Sequence, residues 1–423
     1  MSPQTDQKSP TLDDVLRAVR RAFPDDPSVA MAAEVTLSAA AALCINGLEG
    51  CPTVLLEGPP AGRKTTALSF FPSDLETIYA TDKFTPASFV SHMADKGEKQ
   101  LREIDLLPRI AHKVFLVPDL GVMFADRPDK LRENLGILTR ILDGQGYRKD
   151  SGAHGGRGYA GDYKFCLLGA TTPLADSAWE QMSNLGSRML VLDTGTEDVT
   201  TEELADMVTE EASYDSKLDS VRGAARPLLQ KLFDPTTGGY GSVRWDKQAD
   251  KPLAIYVARL AKLTAQLRGQ VRSDELAGDW TVHVEIPRRL IVAFMGLTRG
   301  HAVASGRTSL LEHDVAVVAR LAFDTCPTRR RRVLRCMLAS PDGTATTHDA
   351  SEAGRCSKTT ALNTMKTLVA LGVAQWTGDR GRDTFAAKQQ AESIRLADQH
   401  AWLKDPANSW VLARVQNSVP GRG

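Results

Sequence analysis

The stretch Val54-Leu-Leu-Glu-Gly58-Pro59-Pro60-Ala61-Gly62-Arg63-Lys64-Thr65-Thr66 constrains this chain more than any other. An apolar run fit for a buried strand meets a Gly/Pro turn, and Lys-Thr then opens a helix expected over Thr66 to Phe71. Such a unit aims backbone N–H groups and a helix N-terminus at one spot, which favours phosphate oxygens. Lys64 is placed to reach the outer phosphates of a nucleotide, and the Thr65 hydroxyl to sit on Mg²⁺. The match to GxxxxGK[ST] is imperfect. Arg63 stands where the second glycine belongs, and Gly62 comes one position early. A Cβ there crowds the phosphates or forces an unfavourable backbone angle. The candidate cradle is therefore Gly58, Pro59, Pro60, Ala61, Gly62, Arg63, Lys64, Thr65 and Thr66, with an altered grip on its ligand. The bland alternative is a turn before a helix.

The partner chemistry should come from an apolar strand ending in acids. His112-Lys-Val-Phe-Leu-Val-Pro118-Asp119 supplies the strand, followed by Pro-Asp. Asp119 is then the sole Mg²⁺ carboxylate, the water-activating group, or a cap for the next turn. Binding is easier to support than fast hydrolysis.

Around this unit, short apolar runs alternate with amphipathic segments, the pattern of a parallel sheet covered by helices. Strands are expected at Thr53–Glu57, Glu76–Ala80, Val114–Val117, Phe165–Gly169 and Met189–Asp193. Residues 11–50 read as helices, and residues 200–324 as mostly helical. Gly-rich polar sequence after Asp143 predicts a protruding hairpin before the 165–169 strand. The 423 residues fit two to four domains. Lys+Arg and Asp+Glu both total 52, so any affinity for nucleic acid must come from a local patch. No run approaches the ~18 apolar residues of a membrane helix, and the polar start lacks a secretory pattern. The six scattered cysteines form no metal-ligand spacing. A cytoplasmic protein is expected.

The order of these parts resembles the AAA+ ATPases, above all the branch with a hairpin before the sensor-1 strand: MoxR-, NtrC- and minichromosome-maintenance-like proteins. "LTRILDGQGY", a hairpin and "LLGATTP" look like that branch's segment ending in "ATNP", and "LGSRMLVL" looks like its "LxxRFxxx" segment. The resemblance implies sensor 1 at Thr172, an arginine finger at Arg188, and a ring or other oligomer in which Arg188 serves a neighbouring subunit. Ile286-Pro287-Arg288-Arg289-Leu290 and Gly306-Arg307-Thr308 to Asp314-Val315 look like the lid. They imply sensor 2 at Arg288, with Arg289 in reserve.

Residues 327–386 read as helix, helix-turn-helix and hairpin, the last from Val373–Trp376 and Arg382–Ala386. They resemble a winged helix. Ten basic side chains stand against five acids there, a surplus of five in a chain that nets zero. A helix over Lys358–Leu371 is expected to contact DNA through Arg355, Lys358, Thr359, Asn363 and Lys366, with Arg380 and Arg382 on phosphates. Docking of a protein partner is the alternative use.

The resulting expectation is an α/β P-loop AAA+ fold with a parallel αβα sheet, a helical lid and a C-terminal winged helix-turn-helix. Its parts are an N-terminal segment (1–50), nucleotide domain (51–199), lid (200–325), winged helix (327–387) and tail (388–423). It would bind ATP and Mg²⁺ and act as an oligomeric ATPase on DNA. A nucleotide-gated DNA-binding regulator with little turnover and a MoxR-like chaperone of a protein partner are the rivals. A chain ending near Asp324 is expected to lose DNA binding and keep nucleotide binding.

Overall fold

The computed structural model describes residues 9–416 apart from 61, 92–96, 152–154, 187, 196–200, 203–204, 206–212, 237, 275–278 and 378–392. The protein is mixed α/β, built on a five-stranded parallel sheet. Its strands are β1 (Thr53–Glu57), β2 (Ile78–Ala80), β3 (Val114–Val117), β6 (Cys166–Thr171) and β7 (Leu190–Asp193), in the order β2-β3-β6-β1-β7. Between β3 and β6 the chain makes the antiparallel pair β4 (Gly146–Ser151) and β5 (Gly155–Ala160), the expected hairpin. A Cβ on Gly146 or Gly158 would strike the Tyr159 or Tyr147 carbonyl across the ladder, which explains the glycine-rich sequence.

β1, β3 and β6 are buried along their whole length, as strands covered on both faces must be. Alternate residues serve two cores. Val54, Leu56, Leu116 and Leu168 face one, and Leu55, Phe115, Val117 and Leu167 the other.

Helices α1 (Leu12–Ala22), α2 (Pro27–Ala42) and α3 (Lys64–Leu68) come first, followed on the other face by α4 (Pro128–Ile141) and α5 (Asp176–Leu185). Then come α6 (Tyr214–Phe233), α7 (Lys251–Arg268), α8 (Arg288–Ala304) and α9 (Glu312–Asp324). Asp26 caps α2 by accepting from the Ser28 and Val29 N–H groups at 3.1 and 3.4 Å. The alanine-rich α2 is buried nearly all round. It accepts α8 against it because Gly300 carries no Cβ to collide with the Ser38 carbonyl.

The 200–324 region is not purely helical: β8 (Gln270–Asp274) and β9 (Asp279–His283) form an antiparallel hairpin. Where α8 meets α9, buried His301 bonds Asp314 at 2.5 Å and Glu34 at 3.2 Å, and Arg307 closes on Asp314 at 2.6 Å. Burial opposes charge on Asp314, yet the Arg307 and His301 hydrogen bonds bring its pKa down to about 2.

The C-terminal module runs α10 (Thr328–Ala339), β10 (Thr344–Thr346), α11 (Thr347–Gly354), α12 (Lys358–Ala370), β11 (Ala374–Trp376) and β12 (Ser393–Leu396). Its sheet has the order β10-β12-β11, all antiparallel. One expectation falls outside the described residues and another is revised here. β11 pairs with Ser393–Leu396, while the expected strand Arg382–Ala386 lies outside the described residues. The segment expected as a tail supplies β12 and the helix α13 (Ser409–Gln416). Tyr256 packs edge-on against Trp402 and Trp410 and bonds Asn408 at 3.0 Å, fastening that segment to α7.

Candidate nucleotide site and nucleic-acid face

The chain leaves β1 for strands on one side and returns to β7 on the other, so β1 ends at a switch in strand order. Ligands of open α/β sheets sit outside the carboxyl ends of strands at such points. Gly58 begins the turn here, its N–H donating to the Thr171 carbonyl of β6 at 3.2 Å. The Gly62 N–H donates back to the Pro59 carbonyl at 3.1 Å, and Lys64 Nζ donates to the same oxygen at 2.6 Å. The lysine thus lies across its own turn. Burial lowers its pKa, and the nearby Asp119 carboxylate opposes that shift. Ala61 lies outside the described residues.

Thr65 is exposed at the start of α3, whereas Thr66 is buried and bonds the Tyr214 hydroxyl at 2.8 Å. Of the two, Thr65 is free to meet a metal. Asp119, exposed after β3, accepts the Gly121 N–H at 2.9 Å. The capping role anticipated for it is real, but a carboxylate offers further lone pairs. A Cβ built on Gly121 would lie 3.0 Å from Asp119 Oδ1 and 3.6 Å from Thr172 Oγ1, so the two side chains flank that glycine. Lys64, Asp119 and Thr172 therefore lie near one another at the carboxyl ends of β1, β3 and β6, with Thr65 beside Lys64 at the start of α3. A cation, two hydroxyls and one carboxylate suit a Mg²⁺-bound polyphosphate.

Arg63 departs from the expected crowding. Its backbone is left-handed (φ 50°), a conformation a glycine adopts freely. Its side chain points to the N-terminal helices, 3.7 Å from Asp26 and over the Phe23 ring at 5.8 Å. The turn keeps a glycine-like backbone path while the arginine anchors it to the α2 cap.

The other predicted arginines lie elsewhere. Arg188 donates from Nε and Nη2 to Asp143 Oδ1 at 3.0 and 2.8 Å, and from Nη1 to the Gly186 carbonyl. It precedes β7, at the amino end of the sheet. Arg288 is exposed at the start of α8. α8 runs antiparallel to α2: His301 meets Glu34 near one end, and Gly296 approaches Leu48 toward the other. Thirteen residues of α8 from Arg288 to His301 and eight of α2 from Glu34 to Asp26 separate Arg288 from the cap that holds Arg63. Among the described residues, Arg288 makes no hydrogen bond or ion pair with the phosphate turn. Arg289, the reserve, lies beside Gly186, at the Arg188 end.

In the arginine run of α10, Arg330, Arg331 and Arg335 are turned inward, while Arg329 and Arg332 are exposed. Arg331 pairs with Glu57 at 3.1 Å and Asp193 at 3.2 Å, and Arg335 pairs with Asp324. Arg330 donates to the Leu267 and Gly269 carbonyls, and Arg329 meets Asp176 at 3.0 Å. The basic surplus of the module is therefore smaller at its surface than its composition implies. In contrast, Arg355, Lys358, Thr359 and Asn363 are exposed on one face, with Lys366 half-buried behind them. Ser357 caps α12 there, accepting the Thr360 N–H at 3.2 Å. Arg380 and Arg382 fall outside the described residues.

No family model and no curated protein matches this chain. Among solved structures it is similar to a protein of Cytophaga hutchinsonii ATCC 33406 provisionally assigned as an ATPase. That likeness has 12% identity and a TM-score of 0.36, covering 74% of this chain and 87% of the other. The apo C-terminal region of NrS-1 is similar at 10% identity and a TM-score of 0.28, over 94% of this chain and 79% of that one. Likenesses this distant do not define a family, and the reading below rests on the site. Among the described residues, no helix is long and apolar enough to cross a membrane.

Proposed function

We propose that this protein is an AAA+-type ATPase that binds ATP with Mg²⁺ and acts on DNA through its C-terminal module. One observation carries the reading: Lys64, Asp119 and Thr172, far apart in sequence, lie near one another at the carboxyl edge of adjacent parallel strands, with Thr65 next to Lys64. Lys64 would leave the Pro59 carbonyl for the outer phosphates, and Thr65 and Asp119 would hold the metal. Thr172 would orient the attacking water. Mg²⁺ would supply charge neutralisation at the phosphates. Arg188, at the amino end of the sheet, would have to leave Asp143 and the Gly186 carbonyl to serve a neighbouring copy. Support for a winged helix comes from the helix–strand–helix–helix order of the module and its three-stranded antiparallel sheet. The exposed basic face of α12 supports DNA as its target.

A specific observation favours a second reading, the nucleotide-gated regulator with little turnover. Asp119 follows Pro118 and is already engaged by the Gly121 N–H, so no second acid stands beside it in that strand end to activate water. Steady-state ATPase assays with and without duplex DNA separate the two. Turnover raised by DNA and lost in Lys64→Ala supports the ATPase. Tight binding with no turnover supports the regulator, and turnover indifferent to DNA but raised by a protein partner would favour a remodelling chaperone.

A further inference from the structure

A buried polar knot lies directly behind the phosphate turn. Glu57, the last residue of β1 and the residue before Gly58, is 1% exposed. Its Oε1 accepts the Leu174 N–H at 2.8 Å, and its Oε2 accepts from Arg331 Nη2 at 3.1 Å. The Glu57 carbonyl accepts the Thr194 N–H and hydroxyl at 2.8 and 3.0 Å. One residue thereby touches four places: the root of the phosphate turn, the loop two residues past Thr172, Thr194 just after β7, and the first helix of the C-terminal module.

Arg331 continues the connection. It also pairs with Asp193 and donates to the Asp324 carbonyl at 3.0 Å. Asp324 accepts from Arg320 at 2.7 Å and from Arg335. Three carboxylates and three guanidinium groups are thus shared among β1, β7, α9 and α10. Buried pairs escape screening by salt, and a guanidinium fork fixes direction as well as distance. The knot joins two surfaces that the proposed function uses separately. A change at Gly58 cannot move β1's end without moving Glu57, and Glu57 cannot move without disturbing α10.

Resting on the nucleotide reading above, we infer that Arg331 is a positioning residue that couples the phosphate turn to the C-terminal module. Occupancy of the turn by ATP–Mg²⁺ then stiffens α10 and α12, and by linkage a ligand on the α12 face alters ATP affinity by the same factor.

Amide hydrogen exchange of the full chain, with and without ATP–Mg²⁺, tests this beside calorimetry on the same samples. The expected result is slower exchange in residues 328–370 when ATP is bound. In Arg331→Lys, which keeps the charge but loses the fork, ATP should still bind while that slowing is lost. Glu57→Gln keeps an acceptor for the Leu174 N–H and should likewise bind ATP with the response weakened, which covers failure of Arg331→Lys to fold. Asp176→Ala, which breaks only the exposed pair with Arg329, should leave the response as in the parent protein. ATP bound with unchanged exchange across 328–370 overturns the coupling and leaves the nucleotide reading standing. A response that persists in both Arg331→Lys and Glu57→Gln also overturns it. No calorimetric binding at all removes the nucleotide reading and the coupling with it.

Discussion

Two basic stretches of the C-terminal module, Arg329–Arg335 and Arg355–Lys358, have opposite fates. In α10, Arg330, Arg331 and Arg335 are turned inward onto carbonyls and carboxylates, while Arg329 and Arg332 meet their partners at the surface. Around the start of α12, Arg355 and Lys358 face solvent beside Thr359 and Asn363. The same residue types therefore act as structural cement in one place and as a candidate DNA face in the other. Burial and the presence of Glu57, Asp193 and Asp324 make the difference. A charge count over a segment reports neither.

The largest test of that contrast is truncation after Asp324. The knot shows why nucleotide binding should not survive it: the cut removes Arg331 and Arg335, leaving Glu57, Asp193 and Asp324 short of partners, and strips α13 from α9. Circular dichroism should show loss of a cooperative thermal transition. A truncated chain that melts cooperatively and still binds ATP would return the module to the status of a separable appendage.

Arg331→Met asks the same question with one side chain. Removing one partner of a buried ion pair costs about 3–5 kcal/mol, to be read from urea unfolding. A loss below about 1 kcal/mol would mean the buried arginines matter no more than surface ones. The exposed stretch should behave in the reverse way. Arg355→Ala with Lys358→Ala should leave stability within about 0.5 kcal/mol. On duplex DNA the slope of log affinity against log salt should become shallower by about 2, one unit for each phosphate left without its cation. An unchanged slope would remove these two residues from the DNA face.

Much of the sheet was legible because strands buried on both faces must be apolar throughout, as Val114–Val117 and Thr53–Glu57 largely are. The phosphate turn was legible because its chemistry is local. The partners of Arg331 were not: Glu57 lies 274 positions away, and no local pattern announces such a pairing. β8 escaped for a different reason. Gln270-Val-Arg-Ser-Asp274 has little apolar alternation and reads as loop or helix end. Arg288 was placed by motif resemblance alone, and only the antiparallel course of α8 on α2 reveals which end of the molecule it occupies.

Smaller effects refine the comparison with buried charge elsewhere. Burial alone would lower the His301 pKa, but the hydrogen bonds to Asp314 and Glu34 raise it. Arg307 and His313 are the other charged or titratable groups facing Asp314. A raised histidine pKa contributes stability that is full below the unfolded value near 6.5 and is lost as pH rises through the folded one. His301→Gln should therefore cost more in thermal melts at pH 6 than at pH 9, and an equal cost at both would contradict a charged His301. Smallest of all, Arg63→Gly removes left-handed strain of about 1 kcal/mol and forfeits the Asp26 ion pair and the Phe23 stacking. Stability should move by less than about 1 kcal/mol, and ATP affinity should rise only if the tether to α2 restrains the turn.

The central claim is that Lys64 and its neighbours hold a triphosphate. Isothermal titration of ATP–Mg²⁺ into the full chain and into Lys64→Ala tests it most directly. The account predicts saturable heat in the parent protein that Lys64→Ala abolishes while its melting temperature is unchanged. An absence of heat in the parent protein, or equal affinity in both, would contradict it.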